Sequence, residues 1–210
     1  RWPDASITGV DSSAEMLARA REAPSHPRVA FEHADLRAWQ PAAKLDCIVS
    51  NAALQWVDDH EALLARLTGW LAPGGSLAVQ MPHNDDAPTH GILAALWRDP
   101  RFAGALGAPP PAVRVQAPAW YGDRLLALGC RAEVWETTYL HRMPDADAIV
   151  EWVKGTALRP VASRLPGSTW LNRCPRPQSG CLPHLFNRPY SEVGSQSILD
   201  RWPFVGTGRS

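Results

Sequence analysis

Short apolar runs rich in β-branched residues alternate with amphipathic stripes through the first eighty residues. Ile7-Thr8-Gly9-Val10 is a first run and ends on Asp11. Behind Ser12-Ser13-Ala14-Glu15, the residues Met16, Leu17 and Ala20 fall at helical spacing, which predicts a helix from Ser13 to about Glu22. Ser12 and Glu15, three apart, read as its capping box. Val29-Ala30-Phe31-Glu32-His33 predicts a second strand, closing on Ala34-Asp35-Leu36, and Leu45-Asp46-Cys47-Ile48-Val49-Ser50 a third. From Asp59 to Trp70, Leu63, Leu64 and Leu67 form one stripe that Leu71 continues, so a second helix is expected. Pro73-Gly74-Gly75 is expected to stop it, and Ser76-Leu77-Ala78-Val79-Gln80-Met81 reads as a fourth strand.

Strands and helices alternating at this spacing predict an α/β fold, a mostly parallel sheet wound with helices. Between Asn84 and Pro118 the chain is rich in Pro, Gly and Ala, with one helix expected at Thr89 to Trp97. A long excursion after a strand's carboxyl end is where α/β enzymes build lids over their substrates. A helix is expected from Trp120 to Leu128, a strand from Ala132 to Leu140 and a short helix from Asp145 to Lys154.

Composition changes the picture past Pro160. Residues 161–210 hold a single alanine, Ala162, and only Glu192 and Asp200 as acidic groups, while Pro, Ser, Arg and Cys fill the space. The expected organisation is one incomplete domain over 1–160, followed by an atypical tail over 161–210, disordered or out of frame, without helical period. Over the whole chain, 21 basic and 21 acidic residues cancel, so no nucleic-acid or anionic-membrane surface is indicated. No apolar run approaches the roughly 20 residues of a membrane span. Cys47, Cys130, Cys174 and Cys181 read as reduced thiols of a cytoplasmic protein. Arg1 as first residue is read as processing or a fragment.

The chemistry gathers at the strand ends. Asp11 stands after one strand and before a helix, where an ionised carboxylate, which only accepts hydrogen bonds, can take both hydroxyls of a ribose. It can equally serve as a helix cap. Asp35 stands equivalently after the next strand and can accept from an exocyclic amine, with Leu36 as an apolar wall; a turn aspartate is the plain alternative. Asn51 ends the third strand. Three polar strand ends in succession line the sheet edge where open α/β folds bind ligands. Cys174, Cys181 and His184 fit no common zinc spacing, and His83 with Asp85-Asp86 reads as a solvated loop.

With those residues in place, the chain resembles the class I S-adenosylmethionine-dependent methyltransferases. The resemblance runs through RWPDASITGVDSSAEMLARAR, FEHADLRAWQP, LDCIVSNAALQWVDDH, LAPGGSLAVQMP, LGCRAEVWETTYLHRMP and IVEWVKGTALRP, most of residues 1–160. It implies a Rossmann-like doubly wound sheet and an S-adenosylmethionine cofactor, with Asp11 and Ser12 at the ribose, Asp35 and Leu36 at the adenine and Asn51 facing the methionine portion. NAALQW and VQMP liken it to the members that methylate a carboxylate of a small polycarboxylic acid such as trans-aconitate. On that likeness Gln55, Trp56, Tyr139, His141 and Arg159 would meet the acid. The alternative readings are Trp56 as a core aromatic, Tyr139 as a strand residue with a solvated hydroxyl and His141 as a surface histidine.

The family's first strand carries a loop of the form D-x-G-x-G-x-G, which this sequence does not contain. Weak cofactor binding is therefore expected of the chain by itself, and apolar edges are expected to be exposed where that strand would lie. A carboxylate acceptor is already ionised at neutral pH, so the implied reaction requires orientation and no general base, catalytic triad or metal. The implied partner is the small acid, with no nucleic acid or membrane, and the protein is expected to be a monomer. An inactive methyltransferase remnant is one alternative. A fragment of an NAD(P)-dependent oxidoreductase is another; it would share Asp11 but would need a Tyr-x-x-x-Lys that is absent here.

Overall fold

The computed structural model describes residues 3–23, 26–84, 88–109, 115–144, 148, 151–152, 158–165 and the backbone of 196–208. Strand β1 (Ile7–Asp11) leads into helix α1 (Ala14–Glu22), then β2 (Val29–His33) and β3 (Leu45–Asn51). A 3-10 turn at Leu54–Trp56 joins β3 to α2 (His60–Trp70), which passes into β4 (Leu71–Gln80). Then come α3 (Pro88–Arg98), α4 (Pro100–Leu106), α5 (Pro118–Ala127) and β5 (Arg131–Met143). Positions 148, 151 and 152 are helical; the rest of the helix expected at Asp145 to Lys154 lies outside the described residues. Helix α6 (Arg159–Ala162) and strand β6 (Gln196–Gly208) complete the order.

Two parallel pairs make the α/β frame. β1 runs beside β2 with Asp11 opposite His33, and β3 runs beside β4 with Asn51 opposite Gln80. The described strands form two sheets, β1-β2 and β3-β4-β6-β5, with β6 antiparallel to both neighbours. Along the edges that β1 and β3 leave unpaired among the described residues, apolar side chains face water: Ile7 is 53% exposed and Val49 73%. The linker after β2 ties the two sheets to one body. Arg66 of α2 donates to the Leu36 and Arg37 carbonyls, and Trp39 meets Trp70 edge-to-face with centroids 5.4 Å apart.

The main core lies under β4. Its alternating residues Leu77 and Val79 pack with Leu63, Leu64 and Leu67 of α2 and with Tyr121 and Leu125 of α5. Each of these leucines removes enough apolar surface from water to contribute about 2 kcal/mol. A second cluster joins Leu93 and Leu96 of α3, Leu106 of α4, and Leu158 and Val161 around α6, with Trp97 and Phe102 against it. The excursion between β4 and α5 thus shares a core, apart from the main one, with the segment around α6.

Several elements depart from the sequence reading for local reasons. Ser13, not Ser12, caps α1, accepting from the Met16 N–H at 3.3 Å; Ser13 is one step closer to the first orphan donors. β4 begins at Leu71, ahead of Pro73-Gly74-Gly75, so that turn lies inside the strand as an irregularity opposite Leu45 and Cys47. Gly74 adopts φ +77° there, and a Cβ on Gly75 would stand 2.9 Å from the Ala72 carbonyl oxygen. Helix α4 was not foreseen, although Asp99-Pro100 is a cap followed by proline at the first helical position. Regular structure also extends past residue 160: α6 reaches Ala162, and β6 pairs with β4 and β5 at Gln196–Gly208. Cys174, Cys181 and His184 lie outside the described residues.

Candidate functional site

The carboxyl ends of β1 and β3 present Asp11 and Asn51, both exposed. One Asp11 oxygen accepts from the Ser13 N–H at 2.7 Å, which holds the carboxylate at the start of α1. The other has no partner among the described residues. Ser12 is exposed, and its carbonyl oxygen lies 3.0 Å from His33 Nε2, bracing the strand ends against each other. Asp35 follows β2 but is drawn into an Asx turn. Its carboxylate accepts from the Arg37 N–H at 2.9 Å and from Arg37 Nε at 3.1 Å on both oxygens. The Arg37 backbone N–H, and then its side chain, hold the Asp35 carboxyl below the usual carboxylate range. Leu36 is half-buried against the main core.

The segment after Asn51 is built with care. Ala52 takes φ +50°, a left-handed conformation that costs a residue with a Cβ about 1 kcal/mol. Its N–H reaches the Gln80 carbonyl at 2.9 Å, extending the β3-β4 ladder by one rung. Gln55 donates from Nε2 to the Ala52 carbonyl at 2.7 Å, while its Oε1 is buried with no hydrogen-bond partner among the described residues. This turns Trp56 outward, 68% exposed, so it is not a core aromatic.

A buried relay that the sequence did not reveal fixes the turn from below. His60, 7% exposed, points Nε2 at the Leu54 carbonyl oxygen, 3.0 Å away, and Nδ1 at the Tyr121 hydroxyl, 2.6 Å away. The Leu54 carbonyl only accepts, so Nε2–H donates to it, while the Tyr121 hydroxyl accepts from the Gln116 N–H at 3.1 Å and faces Nδ1. The signal available was a histidine in the first turn of an apolar helix, which alone does not name its partner.

The remaining candidates lie elsewhere. Tyr139 and His141 stand two apart on β5 with ring centroids 6.3 Å apart, and His141 packs against Trp152 at 4.8 Å. Arg159 is the first residue of α6 and is exposed beside the second cluster. His83, read from sequence as part of a solvated loop, instead pairs with Glu136, Nδ1 to Oε2 at 2.8 Å. Among the described residues no three His, Cys, Asp or Glu side chains gather as a metal site.

Comparison with known proteins bears on the class. A family model described as a methyltransferase domain matches residues 1–75. The first 75 residues are similar to a methyltransferase domain. Solved structures show the chain to have a Rossmann-like fold. YcgJ from Bacillus subtilis superposes with a TM-score of 0.54 at 14% identity, covering 96% of this chain and 81% of that one. A structure from Bacillus halodurans gives 0.55 at 12% identity, covering 96% and 82%. In sequence the chain is similar to proteins named trans-aconitate 2-methyltransferase. That of Azoarcus sp. is 49% identical over 168 residues, covering 79% of this chain and 64% of the relative. That of Streptomyces coelicolor is 46% identical over 176 residues, covering 80% and 57%. That of Mycobacterium tuberculosis is 42% identical over 172 residues, covering 81% and 64%. The chain thus spans less than two thirds of the length of these curated relatives.

Proposed function

We propose that the protein methylates a carboxylate oxygen of a small polycarboxylic acid of the trans-aconitate class, using S-adenosylmethionine. The observation that carries the reading is the pair of polar ends, Asp11 and Asn51, on parallel strands of a methyltransferase-fold domain. The identity of 42–49% to the named relatives supports the acceptor class.

The residues present fit this cofactor on its nucleoside side. Asp11 keeps a free oxygen beside the one held by Ser13, a suitable acceptor for a vicinal diol. Asn51 offers an amide with both donor and acceptor toward the methionine portion. Asp35 sits where the adenine amine would fall, but it must share its carboxylate with Arg37. Leu36 gives part of its surface to the core and the rest to the ring.

When bound, the cofactor supplies an electrophilic methyl group on a sulfonium. The chain's own contribution is orientation and the exclusion of water, worth several kcal/mol of barrier when reacting atoms are held close. Ala52, Gln55 and the His60–Tyr121 relay fix the turn that presents Trp56, which serves as an apolar wall for the acid. Arg159, Tyr139 and His141 supply donors, because carboxylates withdrawn from water need charged or hydrogen-bonding partners.

The test is incubation of the chain with methyl-labelled S-adenosylmethionine and trans-aconitate, followed by mass spectrometry. A singly labelled monomethyl ester is expected. Absence of ester, under conditions where the Azoarcus relative converts the acid, would sink the reading.

A further inference from the structure

His83 and Glu136 form a pair that the functional reading so far does not use. His83 lies three residues beyond Gln80, the last residue of β4, and Glu136 lies on β5, with β6 running between those strands. Nδ1 stands 2.8 Å from Oε2, and the two side chains are 20% and 27% exposed. An ionised carboxylate can only accept, so Nδ1 carries the proton and Nε2 is the nitrogen left to address something else. Among the described residues Nε2 has no partner.

The register fixes where that nitrogen stands. Gln80 pairs with Asn51, so His83 lies just past the same sheet edge. Asp11 lies in the other sheet, β1-β2, while the sheet holding Asn51 continues from β4 through β6 to β5. His83 thus stands in the sheet of Asn51, next to β4 and toward β6 and β5, and not in the sheet that carries Asp11. Glu136 holds the ring at one nitrogen, so little side-chain freedom remains to be lost when a ligand meets the other.

We propose that His83, oriented by Glu136, is an acceptor-recognition residue that binds a carboxylate of the acid other than the one methylated. With Nε2 protonated, the ring bridges two carboxylates, that of Glu136 and that of the ligand. Each bond is a charge-assisted N–H to oxygen contact. Glu136 is a positioning residue and does not touch the acid. The proposal rests on the polycarboxylic-acid reading above.

The experiment is an NMR titration of the full chain with trans-aconitate, with the monocarboxylate crotonate and with S-adenosylhomocysteine. Wild type is compared with His83→Ala, His83→Gln and Glu136→Gln, each first checked for an unchanged thermal midpoint. His83→Ala is expected to weaken trans-aconitate about tenfold, the worth of one charge-assisted hydrogen bond, and crotonate and S-adenosylhomocysteine less than about twofold. His83→Gln, which keeps an N–H at similar reach, recovers part of the loss, and Glu136→Gln loses less than His83→Ala. Equal trans-aconitate binding by wild type and His83→Ala overturns the role of His83 and leaves the methyl-transfer reading standing. So does an equal loss for all three ligands. Failure of wild type to bind trans-aconitate while it binds S-adenosylhomocysteine overturns the acid reading, and this site with it.

Discussion

Asp11 and Asp35 are the same residue type at equivalent strand ends, yet they are held differently. Asp11 gives one oxygen to a backbone N–H and keeps the other, whereas Asp35 is closed on Arg37 through three contacts. Asp11→Ala is therefore expected to weaken S-adenosylmethionine about 10- to 100-fold by calorimetry, the effect of losing charged hydrogen bonds, with the fold intact. Asp35→Ala is expected to cost less, because Arg37 already competes for its oxygens. The depressed titration of Asp35 has a definite sign. Its contribution is fully present above the ordinary carboxylate pKa and is lost as pH falls through the lowered folded-state value. Carbon-detected NMR of the Asp35 carboxyl should show its midpoint below that of an unpaired aspartate. The relay below the turn is a different matter, because it is dry. Tyr121→Phe leaves His60 Nδ1 and the Gln116 N–H without their partner and is expected to cost about 1–3 kcal/mol in urea unfolding.

Among the elements, α2 shows how much of the fold was legible. Its leucine stripe predicts the buried face, and Asp59 caps it by accepting from the Ala62 N–H at 3.0 Å. Leu67→Ala is expected to destabilise by about 2–5 kcal/mol in a denaturant titration, since Leu67 is packed from both α2 and the sheet. The four strands read from the first eighty residues are all present, because β-branched runs bounded by turn residues leave few alternatives. Ser13 replacing Ser12 as cap, and β4 starting before its glycines, are shifts of a few residues set by which donor lies nearest. The pairs His60–Tyr121 and His83–Glu136 could not be read, since each joins residues more than fifty positions apart. Such contacts follow from the register of packed elements and leave no periodic trace in the chain. β6 was missed for a related reason: Gln196–Gly208 mixes polar, charged and glycine residues, and only pairing on both edges makes it a strand.

For the whole molecule, the edges that β1 and β3 leave unpaired among the described residues govern behaviour. Amides of β3 that face away from β4 should exchange with deuterium faster than those of β4, and Val49→Thr should improve solubility without loss of stability.

The strand order β3-β4-β6-β5 also constrains how the chain assembles as it is made. β6 lies between β4 and β5 in space but follows both in sequence. While a ribosome is still adding the residues that precede Gln196, β4 and β5 cannot complete their sheet, although α2 and α5 already have their apolar faces. The far side of the sheet must therefore close after synthesis of the segment that bridges it. Until then, two strands with open edges are available to chaperones or to neighbouring nascent chains.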